Sequence, residues 1–247
     1  MSHQAPAVTI VIPARNEAAR LPASLREIRK FFPFEKWEFL IVIEPGTDNT
    51  ESLARKAVEG DARFRVLPNA AARGKGFAVK TGMLAAEGEV VFFMDADLSV
   101  PLSYVHRFLE KSHEADILIG SRRHPDSIIR KRQPWAREAC GRVFNHALRL
   151  MGSTQSRDTQ CGFKAFSRRA AQEIFSRVEQ DGFGFDVEVL ALGHCLGFRI
   201  LEMPVEWSDA AGSHVVPVRD GVNALVQAML AARRVQRNAK IRCQVSE

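Results

Sequence analysis

The chain has 247 residues, of which 46% are hydrophobic and 26% charged, and this balance is typical of a soluble folded protein and excludes collagenous, disordered or low-complexity chains. Lys and Arg number 35 against 29 Asp and Glu, so the formal charge of +6 favours an anionic partner such as nucleic acid, nucleotide phosphates or an acidic membrane surface. Four scattered cysteines without a CxxC pair predict reduced, cytosolic thiols: Cys140, Cys161, Cys195 and Cys243. No run of about twenty apolar residues is present, and residues 1–7 are too short and polar for a signal peptide, so no membrane-spanning helix or signal peptide is expected.

Short apolar runs, rich in β-branched and aromatic residues and closed by turn formers, predict strands over residues 8–12, 39–43, 64–67, 90–94 and 117–119. Between them apolar residues recur at helical spacing, as in Leu21, Leu25 and Ile28. Strands that alternate with helices predict an α/β fold with a mainly parallel central sheet and helices on both faces. Because such sheets bind ligands beyond the carboxyl ends of their strands, functional residues are expected just after each strand.

The second half of the chain is more helical. Apolar stripes predict core-facing helices over residues 143–151 and 170–178. The stretch 121–137 is basic and has little periodicity, so we interpret it as a mobile loop. A last helix begins near Val222 and ends in an exposed basic tail around Arg233, Arg234, Arg237 and Lys240. Without an internal repeat or a clear linker, one continuous domain with two lobes is expected.

Two carboxylates, Asp95 and Asp97, follow the strand predicted over 90–94. Two like charges at the end of a buried strand require a counter-ion. Mg²⁺ or Mn²⁺ is the natural partner, because these ions take hard oxygen ligands and share their remaining sites with a diphosphate. The alternative is that the pair only caps the next helix or ends the strand.

A basic turn (residues 73–76, sequence RGKG) leads into the helix after the third strand and could place a cation and backbone N–H groups near phosphate. It lacks the Walker spacing, and the alternative is a simple loop with a solvated lysine. Polar groups also follow the first strand, at 13–17, and the second, at 44–48. Turn formation explains any one such cluster, but polar groups after three strands on one sheet edge indicate a site.

The strings PARNE, TDNT, RGKGFAVKTGM and DADLS, in this order, resemble the nucleotide-sugar half of family 2 glycosyltransferases, which have the Rossmann-like GT-A fold. The later strings DTQCGFK, FGFDVEVLAL and MPVEW are similar to the dolichyl-phosphate β-glucosyltransferase branch, a relative of the polyprenyl-phosphate mannose synthases. The resemblance spans residues 8–214 and implies a single GT-A domain over 1–247. Its nucleotide-sugar half would cover residues 1–105, its acceptor half 106–214, and a basic C-terminal helix 215–247.

The resemblance implies a role for several residues. Asp97 would be the main ligand of Mg²⁺ or Mn²⁺, with Asp95 near the ribose or the metal. The nucleotide sugar would be bound by Pro13, Ala14, Glu17, Glu44, Lys75, Asp95, Ala96 and Asp97. The acceptor would be bound by Arg122, Arg137, Asp158 and Gln160, with the two arginines facing a lipid phosphate. The implied catalytic residues are Asp97, Asp186 and Arg122, although Asp186 could instead be a buried structural carboxylate paired with Arg157 or Lys164.

The implied reaction moves a hexose with inversion from a UDP- or GDP-hexose donor to a polyprenyl or dolichyl phosphate, and our hypothesis is glucose from UDP-glucose. The enzyme would work as a peripheral protein on the cytoplasmic face of a membrane, where the basic tail would contact anionic lipid. No nucleic-acid partner is expected. The chain departs from the family pattern after the second strand, where Ile43 and Glu44 replace two aspartates, and at Ala72, which replaces an asparagine.

No QxxRW motif is present, which disfavours a polymerising enzyme. Three other functions stay open at this point. They are a glycosyltransferase with a soluble hydroxyl acceptor, a sugar nucleotidyltransferase, and a non-catalytic module that binds nucleic acid or protein.

Overall fold

The computed structural model describes residues 6–33, 36–131, 156–209, 230 and 234–235. Arg137, the helix predicted over 143–151 and most of the predicted C-terminal helix lie outside the described residues. Among the described helices, none combines the length and the apolar character that crossing a bilayer requires.

Strands and helices alternate through the first half of the chain, as predicted. In chain order the strands are β1 (Val8–Ala14), β2 (Trp37–Ile43), β3 (Phe64–Pro68), β4 (Val90–Met94), β5 (Ile117–Ser121), β6 (Ile128–Lys131), β7 (Phe163–Ser167), β8 (Ile200–Pro204) and β9 (Glu206–Ser208). The helices are α1 (Leu21–Phe31), α2 (Thr50–Val58), α3 (Lys75–Ala85), α4 (Ser103–Lys111), α5 (Arg168–Phe175) and α6 (Phe185–Cys195).

The central sheet has the strand order β3-β2-β1-β4-β7-β5-β8. All of its neighbouring strands run parallel except β7, which lies antiparallel between β4 and β5. The prediction of a mainly parallel sheet is therefore confirmed. The strands β7 and β8 were not predicted from the sequence.

Both faces of the sheet are covered, because alternate side chains of each strand enter two separate apolar cores. In β1, Ile10 and Ile12 pack into one core with residues of α1, α2 and α4. Val11 points the other way, into the second core with residues of α3, α5 and α6. Strands buried on both faces read as continuous apolar runs, which is why the sequence revealed them.

The antiparallel strand β7 brings a distant segment of the chain to the carboxyl end of β4. Phe163, the first residue of β7, lies opposite Met94, the last residue of β4. The residues just before β7 therefore lie beside the residues just after β4. This register places the segment 156–162 at the edge of the sheet where functional residues were expected.

The interpretation of 121–137 as a loop is wrong for residues 128–131, which form a strand, while residues 122–127 belong to no strand or helix. Residues Ile128–Lys131 form β6, which pairs in parallel with β9 as a separate two-stranded sheet. The Arg130 side chain forms an ion pair with Glu206 of β9, with 3.0 Å between nitrogen and oxygen. A cross-strand ion pair of this kind favours the extended conformation of a segment that has little apolar periodicity.

Candidate active site

The two aspartates after β4 lie at the carboxyl edge of the sheet, and each carboxylate has a partner. An oxygen of Asp95 lies 2.6 Å from the ammonium nitrogen of Lys75, the first residue of α3. The Asp97 carboxylate accepts hydrogen bonds from the Ser99 N–H, at 3.0 Å, and from the Ser99 hydroxyl, at 2.7 Å. The next helix begins at Ser103 without a side-chain cap, so the alternative that the pair caps that helix is wrong.

Gly162 makes room for the Asp95 side chain. The Asp95 N–H donates to the Gly162 carbonyl oxygen at 3.1 Å. A Cβ atom at position 162 would lie 2.0 Å from Oδ2 of Asp95 and 2.4 Å from its Cγ. Because these distances are far shorter than van der Waals contact, only glycine at 162 leaves the Asp95 carboxylate in place.

Glu44 binds the backbone of the basic turn. Its buried carboxylate accepts hydrogen bonds from the N–H groups of Arg73, at 3.0 Å, and Gly74, at 2.8 Å. Gly74 has φ +131°, in the region that favours glycine, and a Cβ there would lie 2.5 Å from the Asp181 carbonyl oxygen. These contacts hold the turn that carries Lys75 and lead it into α3.

Lys75 is a charged residue of the site. Burial by itself lowers the pKa of Lys75, but attraction from Asp95 and then from Asp186 outweighs burial and raises the pKa above its ordinary value. The side chain is only 21% exposed and is ion-paired. The alternative of a simple loop with a solvated lysine is therefore wrong.

The end of β1 and the segment that follows it supply three of the residues implied to bind the donor, namely Pro13 and Ala14 in the strand and Glu17 after it. The Glu17 carboxylate pairs with the guanidinium of Arg20, just before α1. The hydrogen bond that Arg20 donates to Glu17 raises the pKa of Arg20, and attraction from Asp97 and Asp95 raises it further. Arg20 is thus a cation close to the acidic pair. Sequence reasoning missed Arg20, because the pairing of β1 with β4 in the sheet is what brings it near residues 95–97.

Arg122, which follows β5, is held by Asp158. Its Nε and Nη2 atoms lie 2.7 and 2.9 Å from the two carboxylate oxygens. Burial by itself raises the pKa of the Asp158 carboxyl, but attraction and hydrogen bonds from Arg122 lower it to about 2. Gln160, by its N–H group, also donates to Asp158, at 3.3 Å. Because both Asp158 oxygens accept from Arg122, the contacts of Asp158 serve to orient that arginine.

Asp186, at the start of α6, pairs with Lys164 of β7, one of the two partners named as alternatives. Oδ1 of Asp186 lies 2.5 Å from Nζ of Lys164, which also donates to the Cys161 carbonyl at 2.7 Å. Burial raises the pKa of the Asp186 carboxyl, and attraction from Lys164 and Lys75 only partly opposes it. The structural pairing is therefore confirmed, while the catalytic role of Asp186 stays a prediction.

A small pocket lies next to the acidic pair. It opens beside Asp95 and is lined by Leu98, Ser99, Gly162 and Trp207 among others. The Arg122 guanidinium lies 5.5 Å from the centre of the Trp207 ring. Trp207 therefore contributes both to the lining of this pocket and to the surroundings of Arg122.

The acidic pair fits a divalent cation by the chemistry of its donor atoms. Asp95 and Asp97 offer hard carboxylate oxygens at i and i+2, which Mg²⁺ and Mn²⁺ prefer. Within the described ranges, no group of three or more His, Cys, Asp and Glu side chains could hold a metal ion. A cation at this pair would therefore take further ligands from a bound diphosphate and from water.

The fold and this site define a class of protein. A mainly parallel sheet carries an acidic pair, a basic turn and Arg122 at one edge, as expected for a nucleotide-sugar transferase of the GT-A type. Residues 9–175 match the family description "Glycosyl transferase family 2". Because the match covers more than half of the chain, the protein belongs to glycosyl transferase family 2.

Within the family, the chain is similar to several individual proteins. Glycosyltransferase AglD of Haloferax volcanii is 32% identical over 219 residues, which cover 86% of this chain but only 35% of AglD. Dolichyl-phosphate beta-glucosyltransferase of Drosophila melanogaster is 32% identical over 229 residues, covering 85% of this chain and 69% of the relative. The Saccharomyces cerevisiae protein of the same name is 29% identical over 238 residues, covering 87% and 71%. The resemblance to this branch is confirmed.

Solved structures confirm the GT-A fold. Glucosyl-3-phosphoglycerate synthase from Mycobacterium tuberculosis, in complex with Mn²⁺, UDP-glucose and phosphoglyceric acid, has a TM-score of 0.65 with this chain at 19% identity. The comparison covers 93% of this chain and 79% of the synthase. The same synthase with Mg²⁺ and UDP has a TM-score of 0.66 at 20% identity, covering 93% and 79%.

Proposed function

We propose that this protein is an inverting, metal-dependent hexosyltransferase that moves glucose from UDP-glucose to a polyprenyl or dolichyl phosphate. The observation that carries the proposal is the gathering of Asp95, Asp97, Lys75 and Arg122 at one sheet edge, where Asp95 attracts both cations. Relatives named dolichyl-phosphate beta-glucosyltransferases support the choice of acceptor. The neighbour solved with Mn²⁺ and UDP-glucose supports the choice of donor and metal.

On the donor side, Lys75 and the acidic pair would orient the diphosphate. Mg²⁺ or Mn²⁺ held by Asp97 and Asp95 would offset the negative charge on the departing nucleoside diphosphate. Lys75 stays protonated at neutral pH and would add a second positive charge at that position. Pro13, Ala14 and Glu17, at the end of β1, would line the nucleoside.

On the acceptor side, Arg122 would bind the phosphate. Its Nε and Nη2 atoms are used by Asp158, so the guanidinium is fixed in orientation before a ligand arrives. Fixing a guanidinium in advance lowers the entropy cost of binding a phosphate. A phosphate oxygen is already anionic at neutral pH, so it can attack the anomeric carbon without a general base, and Asp186 would then serve to orient.

A second candidate is transfer to a hydroxyl acceptor, which the raised pKa of the Asp186 carboxyl favours. A hydroxyl needs a general base, and a carboxyl whose pKa is raised by burial is better suited to that role than an ordinary one. In this case Asp186 would take the proton from the acceptor. Its pairing with Lys164 would have to loosen for this to happen.

The test compares two variants with a phosphate acceptor and UDP-glucose. Asp97→Ala should abolish transfer, and Asp186→Asn should keep most of it. Because Asp186→Asn leaves Lys164 buried without its partner, the double variant Asp186→Asn with Lys164→Met serves as the matched control for folding. If Asp97→Ala, Asp186→Asn and the folded double variant all lost transfer activity completely, the proposal that a phosphate acceptor needs no general base would be contradicted.

The acceptor-binding role is tested separately at the two implied arginines. Arg122→Ala and Arg137→Ala should each raise the KM for the lipid phosphate while the KM for UDP-glucose stays the same. Unchanged acceptor KM values in both variants would remove this part of the proposal.

The proposed location is the cytoplasmic face of a membrane, where the protein would be held peripherally. A lipid acceptor lies in the bilayer, so an enzyme with a net charge of +6 would gain from contact with anionic lipid. Co-sedimentation with liposomes that contain anionic lipid should decrease as the salt concentration rises. Binding that is insensitive to salt would contradict electrostatic attachment.

A further inference from the structure

A buried carboxylate outside the proposed reaction binds three other groups. Glu188 of α6 is fully buried, and its Oε2 accepts from the N–H groups of Glu179, at 3.0 Å, and Gln180, at 2.8 Å. Its Oε1 accepts from the guanidinium of Arg234, which also binds the Glu179 carboxylate. A buried carboxylate is costly unless it is paired, and Arg234 supplies the pairing charge.

Arg234 belongs to the C-terminal segment, and its surroundings contradict part of the expectation for that segment. The next residue, Val235, is buried at 6% exposure, and the Arg234 side chain is 29% exposed. The prediction that Arg234 belongs to an exposed tail is therefore wrong. The sequence showed a basic run, but the partner that removes this arginine from solvent lies 46 residues earlier.

The residues that Glu188 holds belong to the loop between α5 and α6, which we call the clamp loop (residues 176–184). The clamp loop packs directly on the basic turn. Asp181 pairs with Arg73 at 2.7 Å. A Cβ on Gly74 would lie 2.5 Å from the Asp181 carbonyl oxygen, and one on Gly76 would lie 2.4 Å from that of Gln180. The two backbones are therefore in contact, with no space between them for a side chain.

We propose that Arg234 is a positioning residue for the donor site. It neutralises Glu188 and bridges Glu188 to Glu179, which fixes the clamp loop, and the clamp loop in turn backs the basic turn that carries Lys75. Without Arg234, Glu188 would be left buried as an unpaired charge, and the clamp loop would have to open to hydrate it. Arg234 thereby stabilises the donor site from outside it.

The link to the donor rests on the proposed function, so the experiment has one readout that does not need activity. Hydrogen exchange measured by mass spectrometry would compare Arg234→Met with the unmodified chain. Exchange in peptides that cover the clamp loop and the basic turn should speed up about tenfold, while the strands of the sheet change little. Arg55→Met, which breaks an exposed ion pair with Glu51 on α2, is the matched control and should change neither region.

Two further variants separate positioning from a general loss of stability. Arg234→Lys keeps the positive charge and should restore slow exchange in part. The double variant Glu188→Gln with Arg234→Met removes the buried charge but keeps an oxygen that accepts from Glu179 and Gln180, so it should also restore slow exchange. The inference is overturned if Arg234→Met leaves exchange unchanged in both the clamp loop and the basic turn. It is also overturned if Arg234→Met speeds exchange throughout the sheet and the double variant with Glu188→Gln does not slow it again.

The second readout is steady-state kinetics. Arg234→Met should raise the KM for UDP-glucose about tenfold and leave the KM for the acceptor unchanged, because the clamp loop packs on the basic turn of the donor side. Equal changes in both KM values would overturn the donor-specific role. If the unmodified chain does not use UDP-glucose but the local exchange result is as expected, the proposed function fails and the positioning of the basic turn by Arg234 stands.

Discussion

Gly162→Ala is a small change with a large expected effect on the acidic pair. The new Cβ would lie 2.0 Å from Oδ2, 2.4 Å from Cγ and 2.8 Å from Oδ1 of Asp95, where ordinary contact begins at 3.4 Å. Oδ2 must therefore move by about 1.4 Å, and Oδ1, the oxygen that lies 2.6 Å from the Lys75 ammonium, by about 0.6 Å, so the contact with Lys75 is disturbed as the whole carboxylate is displaced. Displacement of a catalytic group by about 1 Å can lower a rate by about a hundredfold.

The expected result is thus a loss of activity with little loss of stability. We expect glucosyl transfer to fall about a hundredfold and Mn²⁺ binding, followed by electron paramagnetic resonance, to weaken. The free energy of unfolding should change by less than about 1 kcal/mol, because Asp95 is 36% exposed and a surface ion pair contributes little.

The matched control for this prediction is Gly193→Ala in α6. Its Cβ would meet only flexible side-chain ends, the nearest being Cδ1 of Ile117 at 2.7 Å. It should therefore leave transfer and Mn²⁺ binding near their original values. If Gly162→Ala kept full activity and full Mn²⁺ affinity, the assignment of Asp95 to the site would be refuted.

Three further predictions concern single carboxylates and their partners. Asp158→Asn should lower the free energy of unfolding by about 2 kcal/mol at pH 7, from the depression of its pKa from 3.8 to about 2. Because folding lowers this pKa, the variant should lose its full share of unfolding free energy above pH 4 and less of it as the pH falls towards 2. Urea titrations at several pH values measure this, and a loss of unfolding free energy that does not depend on pH would contradict the prediction. Lys164→Met should lower the free energy of unfolding by about 3–5 kcal/mol, because buried Asp186 loses its hydrogen-bonded partner. Adding Asp186→Asn should recover much of this loss in urea unfolding, and equal stabilities of the single and double variants would argue against the pair. Glu44→Ala should weaken binding of UDP-glucose about tenfold in calorimetry, because the basic turn loses its acceptor, and unchanged affinity would show that the turn does not need it.

Apolar patterning was enough to locate most of the strands that build the donor side of the sheet. The ends of β1 to β5 agree with the predicted runs to within two residues. These strands are buried on both faces, so nearly every residue in them must be apolar. The strand β7 escaped notice because Lys164 lies at its second position, and a charged residue in a buried strand makes sense only once its partner Asp186 is known.

The residue types of the site were also visible in the sequence, but their contacts were not. The Asp95 and Asp97 doublet, the basic turn and Arg122 stand out by composition and by position after predicted strands. Glu44 was expected to bind the donor. In the structure its carboxylate accepts hydrogen bonds from backbone N–H groups of the basic turn. Glu44 therefore contacts the backbone of another segment, which no local pattern indicates, while its role towards the donor stays a prediction.

What the sequence by itself determined is the alternation of strands and helices, the family, and the chemical groups available at the sheet edge. These follow from short-range rules, since apolar periodicity and turn-forming residues act over a few positions. Only the tertiary structure decided which charges pair, as in Lys75 with Asp95, Arg122 with Asp158 and Arg234 with Glu188. Such pairs join residues far apart in the chain, and a buried charge is stable only beside the partner that the packing of the whole sheet places there.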